Sequence, residues 1–252
     1  MSEGLTESVA TESGTLNCRR QTGGNRVHRV GYTPMPWAWT PWEFAENGRF
    51  TGRWDDPDGN WRTVYSGDTV LACLLEVLAF ARHDPRTSDG LDQIDEDPRD
   101  AAEYPTTVAS GELPQNWCTP RMRTTATIEG CYVAPGDAES LPTLRERFLT
   151  TALRLGLDDV DAAAVRDSRP RELTQAMAAW FYELTAENGE PVAGVHFQSR
   201  HGDGLGLWAI FERPGDEPVS ARVHVLAREP LSPRDAELAE AMRIHRLTWQ
   251  TE

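Results

Sequence analysis

Residues 69–82, TVLACLLEVLAFAR, constrain this chain more than any other stretch. Glu76 is the only charged side chain between Asp68 and Arg82, and its helical neighbours at three and four residues are Ala72, Cys73, Ala79 and Phe80. The run is too long for a typical strand and predicts a helix, with Ser66 or Asp68 as its cap. A helix that is apolar on every side packs inside a protein, so Glu76 is either buried or on the wall of a cleft. An unpaired carboxylate there is costly, which calls for a partner or a chemical task.

The 252 residues suffice for one large domain or two small ones with a hydrophobic core. No apolar run approaches the length of a membrane span, and the first residues lack the basic and apolar regions of a signal peptide. The expectation is a soluble, cytoplasmic protein. Cys18, Cys73, Cys118 and Cys131 show no CxxC spacing and read as free thiols rather than a disulfide framework or zinc site. A formal charge of −15 argues against general affinity for nucleic acid or an anionic membrane, while leaving room for a local basic pocket.

Along the chain, residues 1–26 are polar, rich in Gly, Ser and Thr, and without periodicity; they read as a disordered tail. The domain is expected over 27–252, opening with a short strand at 27–30. Trp37, Trp39 and Trp42 lie among prolines and favour a loop packed down by its aromatics over a sugar-binding platform. The segment DDPDGN marks a turn and 61–65 the strand after it. Its aspartates do not match a calcium loop, having neither the sixth-position glycine nor the twelfth-position glutamate in register. Residues 84–116 are acidic and Pro-rich and read as a surface excursion. Strands are expected at 123–133, 191–197, 206–212 and 219–226. Helices are expected at 141–155, 170–184 and 233–246, with Thr143 and Ser168 as caps. Without strict alternation or a glycine-rich phosphate loop, this order favours an α+β fold over a doubly wound nucleotide fold.

The strongest constellation joins Arg53, Tyr65 and Glu76. An arginine offers a rigid fork to a phosphate or diphosphate. A tyrosine can stack on a flat heteroaromatic ring. A lone glutamate can stabilise a cationic sugar transition state or hold a ribose hydroxyl. Glycosidases need a second carboxyl to protonate the leaving oxygen, whereas nicotinamide departs from NAD as a neutral molecule. The competing reading makes Glu76 a structural ion pair with an arginine such as Arg53. Ser199, in GVHFQSRHGDG, could bond a ligand phosphate or the glutamate, or merely form a turn. No GxSxG elbow supports a serine hydrolase. His196, His201 and Asp203 lack the spacing of a metal motif.

Together, HRV (Arg29), GRWDDPDGNWRTVY (Arg53, Tyr65), LACLLEVLA (Glu76) and GVHFQSR (Ser199) followed by WAIFE resemble the RES-domain family over roughly residues 27–247. The resemblance implies a single ADP-ribosyltransferase-like domain, with small mixed sheets flanked by helices and NAD bound in a cleft between sheets. It implies a toxin of a toxin–antitoxin pair that cleaves the nicotinamide–ribose bond by hydrolysis or phosphorolysis. Protein ADP-ribosylation is an alternative activity, and a non-catalytic interaction module of the same fold another. Carried over by position, Arg53 and Arg29 would hold the diphosphate or ribose, Tyr65 would stack near nicotinamide and Glu76 would act on the nicotinamide ribose. Ser199 would complete the pocket, with Thr174 in RELTQAM as the alternative. NAD is then the substrate, with no metal, and the implied partner is an antitoxin with an Xre-like helix-turn-helix. Neither direct nucleic-acid binding nor a membrane is expected, and self-association into a homo-oligomer is left open.

Overall fold

The computed structural model describes residues 5–82, 111–167 and 169–251. Its first feature overturns the expectation of a disordered tail. Residues Leu5–Thr11 form strand β1 and Gly14–Tyr32 form a 19-residue strand β2, paired antiparallel from Leu5↔Arg20 to Thr11↔Gly14. Val9, Leu16 and Cys18 point inward from an otherwise polar hairpin and are essentially fully buried. Three apolar residues are too few to register as a strand signal, and their burial comes from distant partners. Arg20 on this hairpin pairs with Glu7 at 3.0 Å and with Glu190 at 2.7 Å. The short strand expected at 27–30 is the far end of β2.

The predicted strands otherwise appear with shifted ends: β3 Thr63–Gly67, β5 Arg121–Val133, β6 Gly194–Gln198, β7 Gly206–Phe211 and β8 Val223–Pro230. A seven-stranded sheet runs β1-β2-β3-β7-β6-β5-β8, and β2 also pairs with β5, so five of its strands curl into a ring. The pairing of β5 with β6 is parallel, while the remaining pairs of this sheet are antiparallel. The short strands β4 (Glu112–Leu113) and β9 (Thr248–Trp249) form a second, parallel pair. The mixed sheets are as expected, although the main one is large rather than small. Most of the acidic excursion lies outside the described residues; its end, at Glu112–Leu113, is paired into the fold.

Among the described residues five helices accompany the sheets: α1 Val70–Val77, α2 Leu141–Arg154, α3 Ala162–Arg166, α4 Arg171–Glu183 and α5 Ala236–His245. The architecture is α+β, as expected. Helix α1 is capped by Thr69, whose Oγ1 accepts from Ala72 N at 3.0 Å. Asp68 is instead engaged by Trp208 Nε1 at 2.7 Å. The helix is apolar nearly all round because it is sandwiched. Leu74, Leu75 and Leu78 share one buried cluster with Leu238, Ala241 and Met242 of α5. On its other side Cys73 Sγ donates to His28 O of β2. Thr143 is not a cap either: it is buried within α2 and donates to Thr15 O at 2.9 Å, fastening the N-terminal hairpin. Ser168, the other expected cap, lies outside the described residues. Trp37 and Trp39 are buried and pack their loop against β5, whereas Trp42 is 39% exposed. All four cysteines are free and buried.

Candidate functional site

Strand β3 delivers Tyr65, Ser66 and Gly67 to the start of α1, and the close approach of that helix depends on Gly67. A Cβ there would lie 3.1 Å from Cys73 Sγ and 3.2 Å from Ala72 Cβ. Glycine therefore lets α1 settle against the end of β3, which carries Glu76, one and a half turns on, to the mouth of a cleft of about 400 Å³. The lining includes Arg29, Arg53, Tyr65 and Glu76, so the residues singled out from separate segments of the sequence share one site. Arg171 and Arg200 also face it.

Arg29, Arg53 and Arg171 are anchored by backbone carbonyls rather than by a carboxylate. Arg29 donates from Nε to Pro36 O at 2.6 Å and from Nη1 to Tyr65 O. Arg53 donates to Arg166 O at 2.6 Å and Gln198 O at 3.3 Å, and its guanidinium sits 4.4 Å from the centroid of the Phe197 ring. Arg171 donates to Thr51 O. Carbonyl anchoring fixes the forks without neutralising their charge, which suits an anionic ligand. Burial lowers the pKa of Arg53 to about 10, against the opposing pull of Glu76, so it remains a cation at neutral pH. Arg29 is lowered by burial as well.

Tyr65 has a committed hydroxyl. It accepts from Trp54 N at 2.9 Å and donates to the buried Asp55 Oδ1 at 2.8 Å. Asp55 Oδ2 in turn accepts from Gly52 N at 2.5 Å. Burial, then the Asp55 charge, raises the phenol well above its ordinary pKa. Burial also raises the Asp55 carboxyl, partly offset by the tyrosine hydroxyl. What Tyr65 offers a ligand is therefore its ring. The aspartates of the DDPDGN turn serve the fold: Asp56 accepts from Asp58 N and Asn60 N.

The alternative that Glu76 forms a structural pair with Arg53 does not hold, since no ion pair joins the two among the described residues. Glu76 Oε1 instead accepts from Ser199 Oγ at 2.5 Å, a charge-assisted hydrogen bond. Its Oε2 lies 3.8 Å from His201 Nε2, and its side chain is 36% exposed toward the cleft. Ser199 itself is fully buried and outside the cleft lining. Of the two bonds expected of it, to a ligand phosphate or to the glutamate, the structure shows the second: the serine stands behind Glu76 and orients it. Thr174, the alternative, is buried within α4 and donates to Arg171 O, away from the cleft.

The loop after β6 is held by Arg166 at the end of α3. This arginine donates to Ser199 O at 2.7 Å, Gly202 O at 2.8 Å and Asp203 Oδ1 at 2.7 Å. The sequence does not mark Arg166, Arg171, Asp55 or His201 as belonging to this site. Asp55 was hidden in a turn signal, and the two arginines carry no local mark. His196 is buried against Trp208, away from His201, and no metal-binding group of His, Cys, Asp or Glu exists among the described residues.

An α+β protein with an arginine-lined cleft around a single oriented carboxylate is the class that fold and site define. The family model for the RES domain matches residues 26–234, and the chain belongs to that family. Among solved structures, it is similar to a chain of the M. tuberculosis MbcT–MbcA toxin–antitoxin complex, at 16% identity and a TM-score of 0.44, over 90% of this chain and 91% of that one. No curated protein matches it significantly. No helix among the described residues is long and apolar enough to cross a membrane.

Proposed function

We propose that the protein degrades NAD by cleaving its nicotinamide–ribose bond. The observation that carries this reading is the Glu76 carboxylate, oriented by Ser199 at 2.5 Å, in a cleft of about 400 Å³ walled by Arg29, Arg53, Arg171 and Arg200. That volume falls within the range of small-molecule and cofactor sites. The guanidinium groups provide charge for the diphosphate, and the Tyr65 ring a flat face for nicotinamide. As the bond breaks, nicotinamide leaves with the bonding pair as a neutral molecule and positive charge develops on the ribose. The fixed negative charge of Glu76 stabilises that charge, and no general acid is required. Water reaching the exposed side of Glu76 gives ADP-ribose and releases a proton; inorganic phosphate gives ADP-ribose 1″-phosphate.

The test is incubation of the purified protein with NAD, following nicotinamide release with and without phosphate. Folded protein that releases no nicotinamide under either condition refutes the reading. Radiolabel from NAD appearing on a discrete protein band would assign ADP-ribose transfer instead. Depletion of NAD would arrest growth, so the reading extends to a toxin restrained by an antitoxin with an Xre-like helix-turn-helix. Expression in a bacterial host should arrest growth, Glu76→Gln should relieve it, and a coexpressed antitoxin should copurify with the wild type. RES-domain membership supports this extension.

A further inference from the structure

Two buried polar atoms beside the cleft, Ser66 Oγ and His201 Nε2, lack a hydrogen-bond partner among the described residues, and the second faces a carboxylate. The His201 side chain is 3% exposed, and its Nε2 is buried without a hydrogen bond. Its surroundings decide which nitrogen carries the proton. Nδ1 lies 3.1 Å from Arg82 Nη1, and a guanidinium only donates, so Nδ1 is the accepting nitrogen. The proton of the neutral ring then sits on Nε2, facing Glu76 Oε2 at 3.8 Å. That gap exceeds a hydrogen bond, but a modest turn about the soft terminal torsion of Glu76 shortens it. The other oxygen of Glu76 is already held by Ser199 Oγ, which also accepts from His201 N at 2.9 Å. One short loop thus addresses both carboxylate oxygens.

We infer that His201, neutral and protonated on Nε2, is a positioning residue that closes on the second oxygen of Glu76 and fixes the plane of its carboxylate. Its catalytic consequence rests on the reading of Glu76 proposed above; the tautomer and the contact do not. The charged and titratable groups facing the ring are Glu76 of α1, Arg82 after it, Arg200 in the same loop and His245 of α5, whose ring centroid is 5.4 Å away. Burial first, then Arg200, His245 and Arg82, disfavour the imidazolium, and Glu76 alone favours it. The neutral form leaves the full charge of Glu76 available to a cationic transition state, whereas an imidazolium beside it would cancel that charge. Activity should therefore fall as pH drops through the lowered pKa of His201.

The experiment is a nitrogen-15 NMR titration of full-length protein labelled at histidine, with the His201 signals identified by their loss in His201→Gln. The expected result is the Nε2–H tautomer, and a still lower pKa in Glu76→Gln, which removes the neighbour that favours the charged ring. An Nδ1–H tautomer, or a titration indifferent to Glu76→Gln, overturns the inference. In NAD cleavage, His201→Gln, whose amide N–H can stand in for Nε2–H, should stay within about threefold of wild type. His201→Phe should lose kcat roughly tenfold to a hundredfold with KM little changed, the effect of one hydrogen bond to a charged group. The acid limb due to His201 should vanish in both variants. Equal losses in the two also overturn the inference. A wild type that cleaves no NAD yet shows the expected tautomer and Glu76-dependent titration refutes the proposed reaction and upholds the contact.

Discussion

Replacing Glu76 by glutamine separates a chemical role from a structural one, because the two readings predict opposite things for rate and stability. The amide keeps the shape and can still accept from Ser199 Oγ, the partner at 2.5 Å. What disappears is one negative charge on a side chain 36% exposed to the cleft. With an effective dielectric of about 20, suited to a site reached by solvent, a carboxylate about 4 Å from a developing positive charge is worth about 4 kcal/mol. Losing that from the transition state alone slows cleavage by about a thousandfold. Stability should barely change, because the weakened hydrogen bond is offset by relief from desolvating a charge. The expected shift is within about 1 kcal/mol, or roughly 2–4 °C in Tm for a chain of this size. Nicotinamide release and a thermal melt on the same preparation read both quantities. A Glu76→Gln protein within tenfold of wild-type activity refutes the argument. So does one that loses activity only in step with a melting temperature lowered by ten degrees or more.

Four further outcomes follow from the same geometry. Arg53→Lys cannot reproduce a fork that bridges Arg166 O and Gln198 O over the Phe197 ring; KM for NAD should rise roughly tenfold or more, measured by steady-state kinetics. Tyr65→Phe takes a hydroxyl from buried Asp55 and from Trp54 N, and should cost about 1–3 kcal/mol in urea unfolding. The Asp55 pKa is raised on folding from 3.8, chiefly by burial, so its contribution to stability is full below that value and is lost as pH rises through the folded value. Wild-type stability measured against Asp55→Asn should show that downward slope above about pH 4. Gly194→Ala would set a Cβ 1.9 Å from Ala209 O in the pairing of β6 with β7; a loss of about 5 °C or more in Tm is expected, and an unchanged melt would contradict the register.

Much of this was legible in the sequence, and the reason is local. The helix bearing Glu76, the strand ending in Tyr65 and the strand before Ser199 each announce themselves through apolar period, turn residues and length. Their ends moved by a few residues, since caps depend on which side chain reaches the helix start: Thr69 took the place expected of Ser66 or Asp68. The N-terminal hairpin escaped because Val9, Leu16 and Cys18 are too sparse to mark a strand. They are buried by β5 and α2, more than a hundred residues away.

By itself, then, the sequence determined the α+β class, the unusual position of Glu76 and the arginine, tyrosine and serine that accompany it. Composition and periodicity act over one element at a time and suffice for the class and the glutamate, while the resemblance to the RES-domain family is what ties the other three residues to it. The tertiary structure decided what each side chain does. It set Ser199 behind Glu76 across a separation of 123 residues and turned the Tyr65 hydroxyl toward Asp55. It anchored Arg53 on carbonyls instead of on the glutamate, and brought Arg171 and His201 to the same cleft. Hydrogen bonds and charge act over a few ångströms of space, and only the ring of strands fixes which distant residues share them.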